Sequence, residues 1–429
     1  MLLFSRDLRV EDHPALVAAV GRGAVLPLFV FDDALIGARS VGPNRLAFLL
    51  ESLTDLRASL RALGGELFVR QGEPAAIATS VARALGASMI LCSADVGRVA
   101  ARRRLALSAR AGREGIAILE APGVSVVDPG LLSPAGGDHY RVFTPYWRAW
   151  TRAPRRAVLD PPTRVEIPGS LEPGVLPDLS ALISGQDSLG DSPRASRGLA
   201  PCSPGRERGG EMAAWERIHA FAKDGLEDYA TRAAQLSAHA GSRLSAALHF
   251  GCCSPLALER HLTARRPPVQ SGGVDAFMRQ LCWRDFFLSV AHAFPAIATC
   301  DYRNRRREPF RRDATELAAW KSGETGVALV DAAMRQLLAE GYVHNRARLV
   351  AASYLTKTLN HDWREGAAHY GYWLTDADVA SNAGNWQWVA GTGNDTRPNR
   401  RLNPSRQAER FDAAGTYVAR YLQAGRQGP

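Results

Sequence analysis

Residues 24–65 read AVLPLFVFDDALIGARSVGPNRLAFLLESLTDLRASLRALGG. The stretch opens on an apolar run at 24–31, of strand length and rich in β-branched and aromatic residues. A helical pattern follows over 44–63, and Gly64-Gly65 stands where that helix should stop. The same unit recurs outward. Apolar runs lie at 1–4, 66–70, 88–92 and 116–119, with helical patterns at 74–85 and 97–111 and with Gly86 and Gly112 at helix ends. Strand alternating with helix implies a parallel sheet covered on both faces. Residues 1–150 are therefore expected to form a doubly wound α/β domain.

Beyond it the character changes twice. Residues 151–210 are rich in Pro, Gly, Ser and Arg, as in DSPRASRGLAPCSPGRERGG. This segment is read as an interdomain linker, wrapped over the surface and partly mobile. From 211 onward helical patterns dominate, at 211–223, 245–250, 274–292, 325–340, 345–360 and 363–374. Residues 211–429 are expected to form an all-α domain that carries the chemistry.

Bulk properties narrow the function. A chain of 429 residues has room for two or three domains. It has no run of 18 apolar residues, so no membrane-spanning helix and no membrane partner are expected. Its first ten residues carry charge, unlike a secretory signal, which points to the cytoplasm. The six cysteines form no CxxC pair, so reduced thiols are expected rather than a metal site. The net charge of +10 fits a polyanionic partner. Its cations are almost all arginine, the only lysines being Lys223, Lys321 and Lys357, so composition bias contributes to the excess as well.

Residues 376–404, DADVASNAGNWQWVAGTGNDTRPNRRLNP, hold the densest chemistry. Asp376, Asp378 and Asn382 can hydrogen-bond a polar ring system, while Trp386 and Trp388 can stack on a base or pass an electron. Three further groups stand out. Gly241-Ser242-Arg243-Leu244-Ser245 offers hydroxyls, a guanidinium and backbone N–H groups to an anion, or else a helix cap with a surface arginine. Gln280, Trp283 and Arg284 share one helical face that could stack on a base and hold a phosphate, unless Trp283 belongs to the core. In the run HNRARL, 344–349, Arg346 and Arg348 lie on different faces. One could meet phosphate and the other a buried carboxylate such as Asp376 or Asp378.

In order along the chain, SRDLRVEDHPAL, SRLS, CWRDF, VDAAMRQL, HNRAR, DWREG, DADVASNAGNWQW and NPSRQAERF resemble the photolyase/cryptochrome family, most closely its bacterial class I members. The resemblance implies an N-terminal antenna-type α/β domain and a helical domain that holds FAD folded into a U. It implies that Tyr229, Ser242, Arg243, Leu244 and Ser245 bind the phosphate and ribityl part of FAD, and that Asn345, Arg348, Asp376, Asp378 and Asn382 surround the flavin. Arg348 with Asp376 matches a salt bridge beside the ring, and Asn382 the residue facing N5. Gln280, Trp283, Asn382 and Trp388 are the implied catalytic residues. Gln280, Trp283, Arg284, Arg346, Trp388 and Gln407 are the implied DNA contacts. Trp386 and Trp363 match the inner two places of an electron-relay triad, and Phe310 stands where the outer tryptophan is usual. Gln280 stands where dimer-repairing members usually carry Glu. The expected activity is light-driven repair of cyclobutane pyrimidine dimers in DNA by a monomer, the alternative being a cryptochrome-like photoreceptor. Asn345 and Leu349 fall where (6-4) repair uses histidines. The second chromophore is left open: a deazaflavin, a flavin, a folate or none.

Overall fold

The structure, a computed structural model, describes residues 1–36, 41–187, 202–237, 241–264, 272–304 and 309–423. Five parallel strands form one sheet in the order β3-β2-β1-β4-β5. They are β1 (Leu2–Phe4), β2 (Pro27–Phe31), β3 (Phe68–Gln71), β4 (Met89–Ser93) and β5 (Ala117–Ala121). Leu2 aligns with Pro27 on one side and with Leu91 on the other. The strand order reverses between β1 and β4, so the loops after these two strands diverge.

Side-chain alternation along β2 builds two cores. Leu28 and Val30 join Ala75, Ala78 and Ala82 of helix Pro74–Ala84 and Leu107 and Ala111 of helix Arg98–Arg113. Phe29 and Phe31 face the other way, toward helices Pro14–Val20 and Pro43–Ala62. That second core runs without a break into the helical half of the chain, through Phe250, Phe286, Val330 and Trp386.

Polar contacts lock the two halves together. The Asp285 carboxylate accepts from the backbone N–H of Val126 and Val127 and from the Trp150 indole. Glu211 accepts from the N–H groups of Val10 and Glu11. Arg9 donates to the carbonyls of Gly251 and Gly123. Helix Phe143–Arg152, which the sequence reading passed over, packs on the long helix Gly272–Ala293 by stacking Phe143 on Trp283.

Several expected boundaries move. The pattern at 345–360 splits into helix Asn345–Ser353 and a π-helical turn, Tyr354–Thr358, and Lys357 just inside its end donates to the carbonyls of Ala390 and Pro398. The helix expected from 325 starts at Ala328, because the Asp331 carboxylate holds the N–H groups of Thr325 and Gly326 in a turn. Gly112 lies inside helix Arg98–Arg113, and Gly115, with φ +67, provides the stop. The expected linker is held to the strand half at 165–166. Val165 donates to Leu63 O, Glu166 accepts from Val25 N, and Val165 is fully buried. Residues 188–201 of the expected linker lie outside the described residues. No helix among the described residues is long and apolar enough to cross a membrane.

Candidate functional site

Helix Val379–Ala390 shows how local sequence builds the site. Asp378 caps its start, with Oδ1 accepting from Ser381 N at 2.8 Å, and Gly391 ends it in the left-handed region. The other Asp378 oxygen receives Arg6 Nη2 at 2.5 Å, so a residue just after β1 fixes the cap. One and two turns on, Asn382 and Trp386 come round to a cavity that they share with Tyr229, Ser242, Gln280 and Arg348. The Asn382 amide donates to Ala367 O at 3.0 Å, which fixes its plane. His344 caps helix Asn345–Ser353 by accepting from Arg346 N, and thereby sets Asn345 and Arg348 at the cavity edge.

Arg348, Asp376 and Asp378 are paired, while one carboxylate oxygen is left unsatisfied. Arg348 Nη2 lies 2.9 Å from Asp376 Oδ2, and its Nε donates to Val343 O. Burial pushes the Asp376 carboxyl up, but the Arg348 guanidinium outweighs it and holds the acid below its ordinary range. Asp376 Oδ1 is buried without a hydrogen-bond partner among the described residues. Asp378 is held well below the usual carboxylate range, Arg6 and His249 overcoming its burial. Burial brings His249 down to about 4, so the ring is neutral at pH 7 and Arg6 carries the opposing charge.

These residues fit FAD. Phe277, Leu281, Leu349 and Val389 offer an apolar bed to a flat ring, while Asp376, Asp378, Asn345 and Asn382 meet its polar edge. The unpartnered Asp376 Oδ1 is an acceptor that a bound N–H or hydroxyl would satisfy. Ser242 and Ser245 add hydroxyls from the neighbouring wall.

Most residues singled out from the sequence gather here. Tyr229, Ser242, Leu244, Ser245, Asn345 and Arg348 line the cavity, as do Asp376, Asp378, Asn382, Gln280 and Trp386. Arg243 does not. Its backbone is left-handed, with φ +52, and its side chain is paired with Glu207 and Glu340 over the Tyr342 ring. Arg284 lines the cavity and is mostly buried. Its side chain is 12% exposed, and its terminal nitrogens donate to Val124 O and Leu248 O, so it bridges the two halves. Trp283 lies face to face on Phe143 at 3.7 Å, so its packing and stacking readings meet in one half-buried ring.

Arg346, Trp388 and Gln407 are not among the residues that line the cavity, and the first two lie beside further arginines. Arg346 sits over Phe411, and Arg400 covers Trp388 at 4.9 Å. Burial and then the nearby Arg410 and Arg400 lower the Arg346 pKa. The sequence reading missed Arg400 and Arg410, although the NRRLNP run could have signalled the first. It also missed His249 and Tyr370, aromatic cavity residues that lie one turn beyond the ends of the SRLS and DWREG motifs.

Among the relay residues, Trp386 and Trp363 are buried and Phe310 is half-buried. Trp386 packs directly above Gly366 of helix Trp363–Trp373, where an added Cβ would lie 2.1 Å from its ring.

Comparison with known proteins agrees with this geometry. A family model described as DNA photolyase matches residues 1–166, and one described as FAD binding domain of DNA photolyase matches 277–429. The chain is 45% identical to a deoxyribodipyrimidine photo-lyase of Streptomyces griseus, over 97% of this chain and 88% of that one. Its structure resembles a class III photolyase of Agrobacterium tumefaciens with TM-score 0.88 and 31% identity, covering 98% of this chain and 86% of that chain. A Synechocystis cryptochrome gives TM-score 0.88 at 27% identity, covering 98% and 88%. A helical cavity of this chemistry beneath a parallel sheet, and near half identity along almost the whole chain, have one common source: the protein belongs to the photolyase/cryptochrome family.

Proposed function

We propose that this protein is a FAD-dependent deoxyribodipyrimidine photolyase that repairs cyclobutane pyrimidine dimers in DNA with light. The carrying observation is the cavity itself. It joins a buried Arg348–Asp376 pair with one free acceptor to the exposed amide of Gln280. Residues 1–150 would form the antenna-type domain, 151–210 the connection and 211–429 the FAD-binding domain. The protein would act as a cytoplasmic monomer.

In its reduced form, bound FAD supplies a light-activated electron that opens the cyclobutane ring and is then recovered. The protein does the rest. Arg348 and Asp376 hold the polar edge of the ring system, Asp378 is kept ionised by Arg6, and Asn382 presents a neutral amide. Gln280 can donate a hydrogen bond to a carbonyl of an extruded dimer, although it cannot share a proton as a carboxyl would. Trp283 and Trp388 offer aromatic faces to the lesion. Arg346, Arg400 and Gln407 grip the strand through its phosphates, whatever its sequence. Extruding a dimer costs less than extruding a sound base, because the dimer stacks and pairs poorly.

The test is incubation of the reduced protein with a dimer-bearing oligonucleotide under blue light, beside a dark control. Loss of dimers in light alone is expected. A FAD-loaded protein that leaves them intact under light would instead support the photoreceptor reading, which Gln280 and Phe310 favour.

A further inference from the structure

The electron relay has an outer end that its own sequence position cannot supply. A benzene ring is far harder to oxidise than an indole or a phenol, so Phe310 is a poor donor to an oxidised Trp363. Two other aromatics lie near Trp386. Tyr370 is 5.1 Å from it between ring centres, and its hydroxyl donates to the Met334 sulfur, at 3.9 Å. Trp320 is 6.0 Å away, fully buried, with its N–H on Ala351 O. Neither donor group is aimed at a base: one meets a thioether and the other a backbone carbonyl.

Tyr302 has one. Its hydroxyl lies 2.6 Å from His139 Nε2, and His139 Nδ1 lies 2.8 Å from Asp138 Oδ1. An ionised carboxylate only accepts, so Nδ1 carries a proton, and with Nε2 unprotonated the phenol donates to it. Asp138 is suited to that role, since His139 holds its carboxyl below the ordinary value. The imidazole is buried, and the tyrosine is half-buried. The backbone at this residue is held beside the relay. Trp363 Nε1 donates to the carboxylate of Asp301, the residue before Tyr302, at 2.9 Å. Tyr302 N donates to the side chain of Gln387, which sits between Trp386 and Trp388, at 2.7 Å.

We propose that Tyr302, with His139 as its proton acceptor, is the terminal electron donor of the photoreduction relay in this protein. The inference rests on the reading of Trp386 and Trp363 as that relay. One electron passes from the Tyr302 ring to the oxidised indole of Trp363 and restores the neutral tryptophan. The phenolic proton moves onto His139 Nε2, leaving a neutral tyrosyl radical and an imidazolium offset by Asp138. A thiolate in solution then returns one electron to the ring, His139 returns the proton, and the thiol is left as a thiyl radical. Coupling the two transfers matters because a phenol that loses an electron while keeping its proton is a strong acid with a high-energy cation, whereas the neutral radical is long-lived.

The experiment is flash photolysis of the FAD-loaded protein with dithiothreitol present, followed by absorbance and electron paramagnetic resonance. In the wild type a tryptophan radical should give way to a tyrosyl radical, in a step slowed about twofold or more in D2O. Tyr302→Phe should abolish the tyrosyl signal and cut the yield of stable photoreduction several-fold at equal FAD content. Tyr302→Trp should restore yield without the isotope effect, which a merely structural residue would not do. A wild type that photoreduces with no tyrosyl radical overturns the proposal, as does a Tyr302→Phe protein with an unchanged signal. A protein that binds no FAD, or shows no photoreduction at all, overturns the relay and cofactor reading beneath it as well.

Discussion

Single residues at this site work through neighbours that are far away in sequence. Asp376 stays ionised in the interior because Arg348 lies 2.9 Å from one of its oxygens, although burial opposes it. Removing that charge strands a guanidinium whose side chain is 23% exposed. Asp376→Asn should therefore destabilise the protein by about 3 kcal/mol, the lower end for breaking a buried pair. It should also lower the flavin recovered on purification, since the same carboxylate carries the free acceptor. Thermal unfolding and the flavin-to-protein absorbance ratio measure the two effects, and an unchanged ratio would remove Asp376 from the binding set.

At the level of elements, the site depends on how closely two helices approach. Helix Trp363–Trp373 meets helix Val379–Ala390 with the Trp386 ring against Gly366, where a Cβ would sit 2.1 Å from Cη2 and 2.6 Å from Cζ3. The indole is fully packed, so the clash cannot be relieved by a swing into solvent. Gly366→Ala should cost about 1–3 kcal/mol, as overpacking does. It should also slow photoreduction by displacing the inner relay ring, and the melting temperature and the rate of flavin bleaching under steady light report on each. The long helix Gly272–Ala293 adds a second constraint, because one of its faces is split between partners. Gln280 stays exposed at the cavity, Trp283 stacks on Phe143, and Arg284 ties the helix to the strand half.

The whole molecule couples a sheet to a helical cavity through a few buried ions. Arg6 alone touches Asp378, Asp95 and the carbonyl of His249, so the loop after β1 reaches the cap of the helix that carries Asn382. The excess of positive charge gains direction from the grouping of Arg346, Arg400 and Arg410 near Trp388. Arg400→Ala should weaken DNA binding to a similar degree for every sequence and reduce the slope of log affinity against log salt by about 1. Fluorescence titration over a salt series measures this, and a slope equal to that of the wild type would place Arg400 outside the interface.

Sequence alone determined the layering of this protein. A period of two against a period near 3.6 is a local property, so the five strands and most of the helices could be read from apolar spacing and glycine stops. The cavity residues of the HNRAR and DADVASNAGNWQW motifs were pointed to by the family resemblance, and each motif lies along one helix, Asn345–Ser353 or Val379–Ala390, whose capped start sets where its side chains point. What only the tertiary structure decided were the partners. Arg284 and Arg243 look in sequence like phosphate ligands, yet each is spent on groups brought in from elsewhere in the chain, Val124 for one and Glu340 for the other. The meeting of His139 with Tyr302, 163 residues apart, was equally invisible. Charge and hydrogen bonding act over a few ångströms of space, and spacing along a chain does not encode which distant group will arrive there.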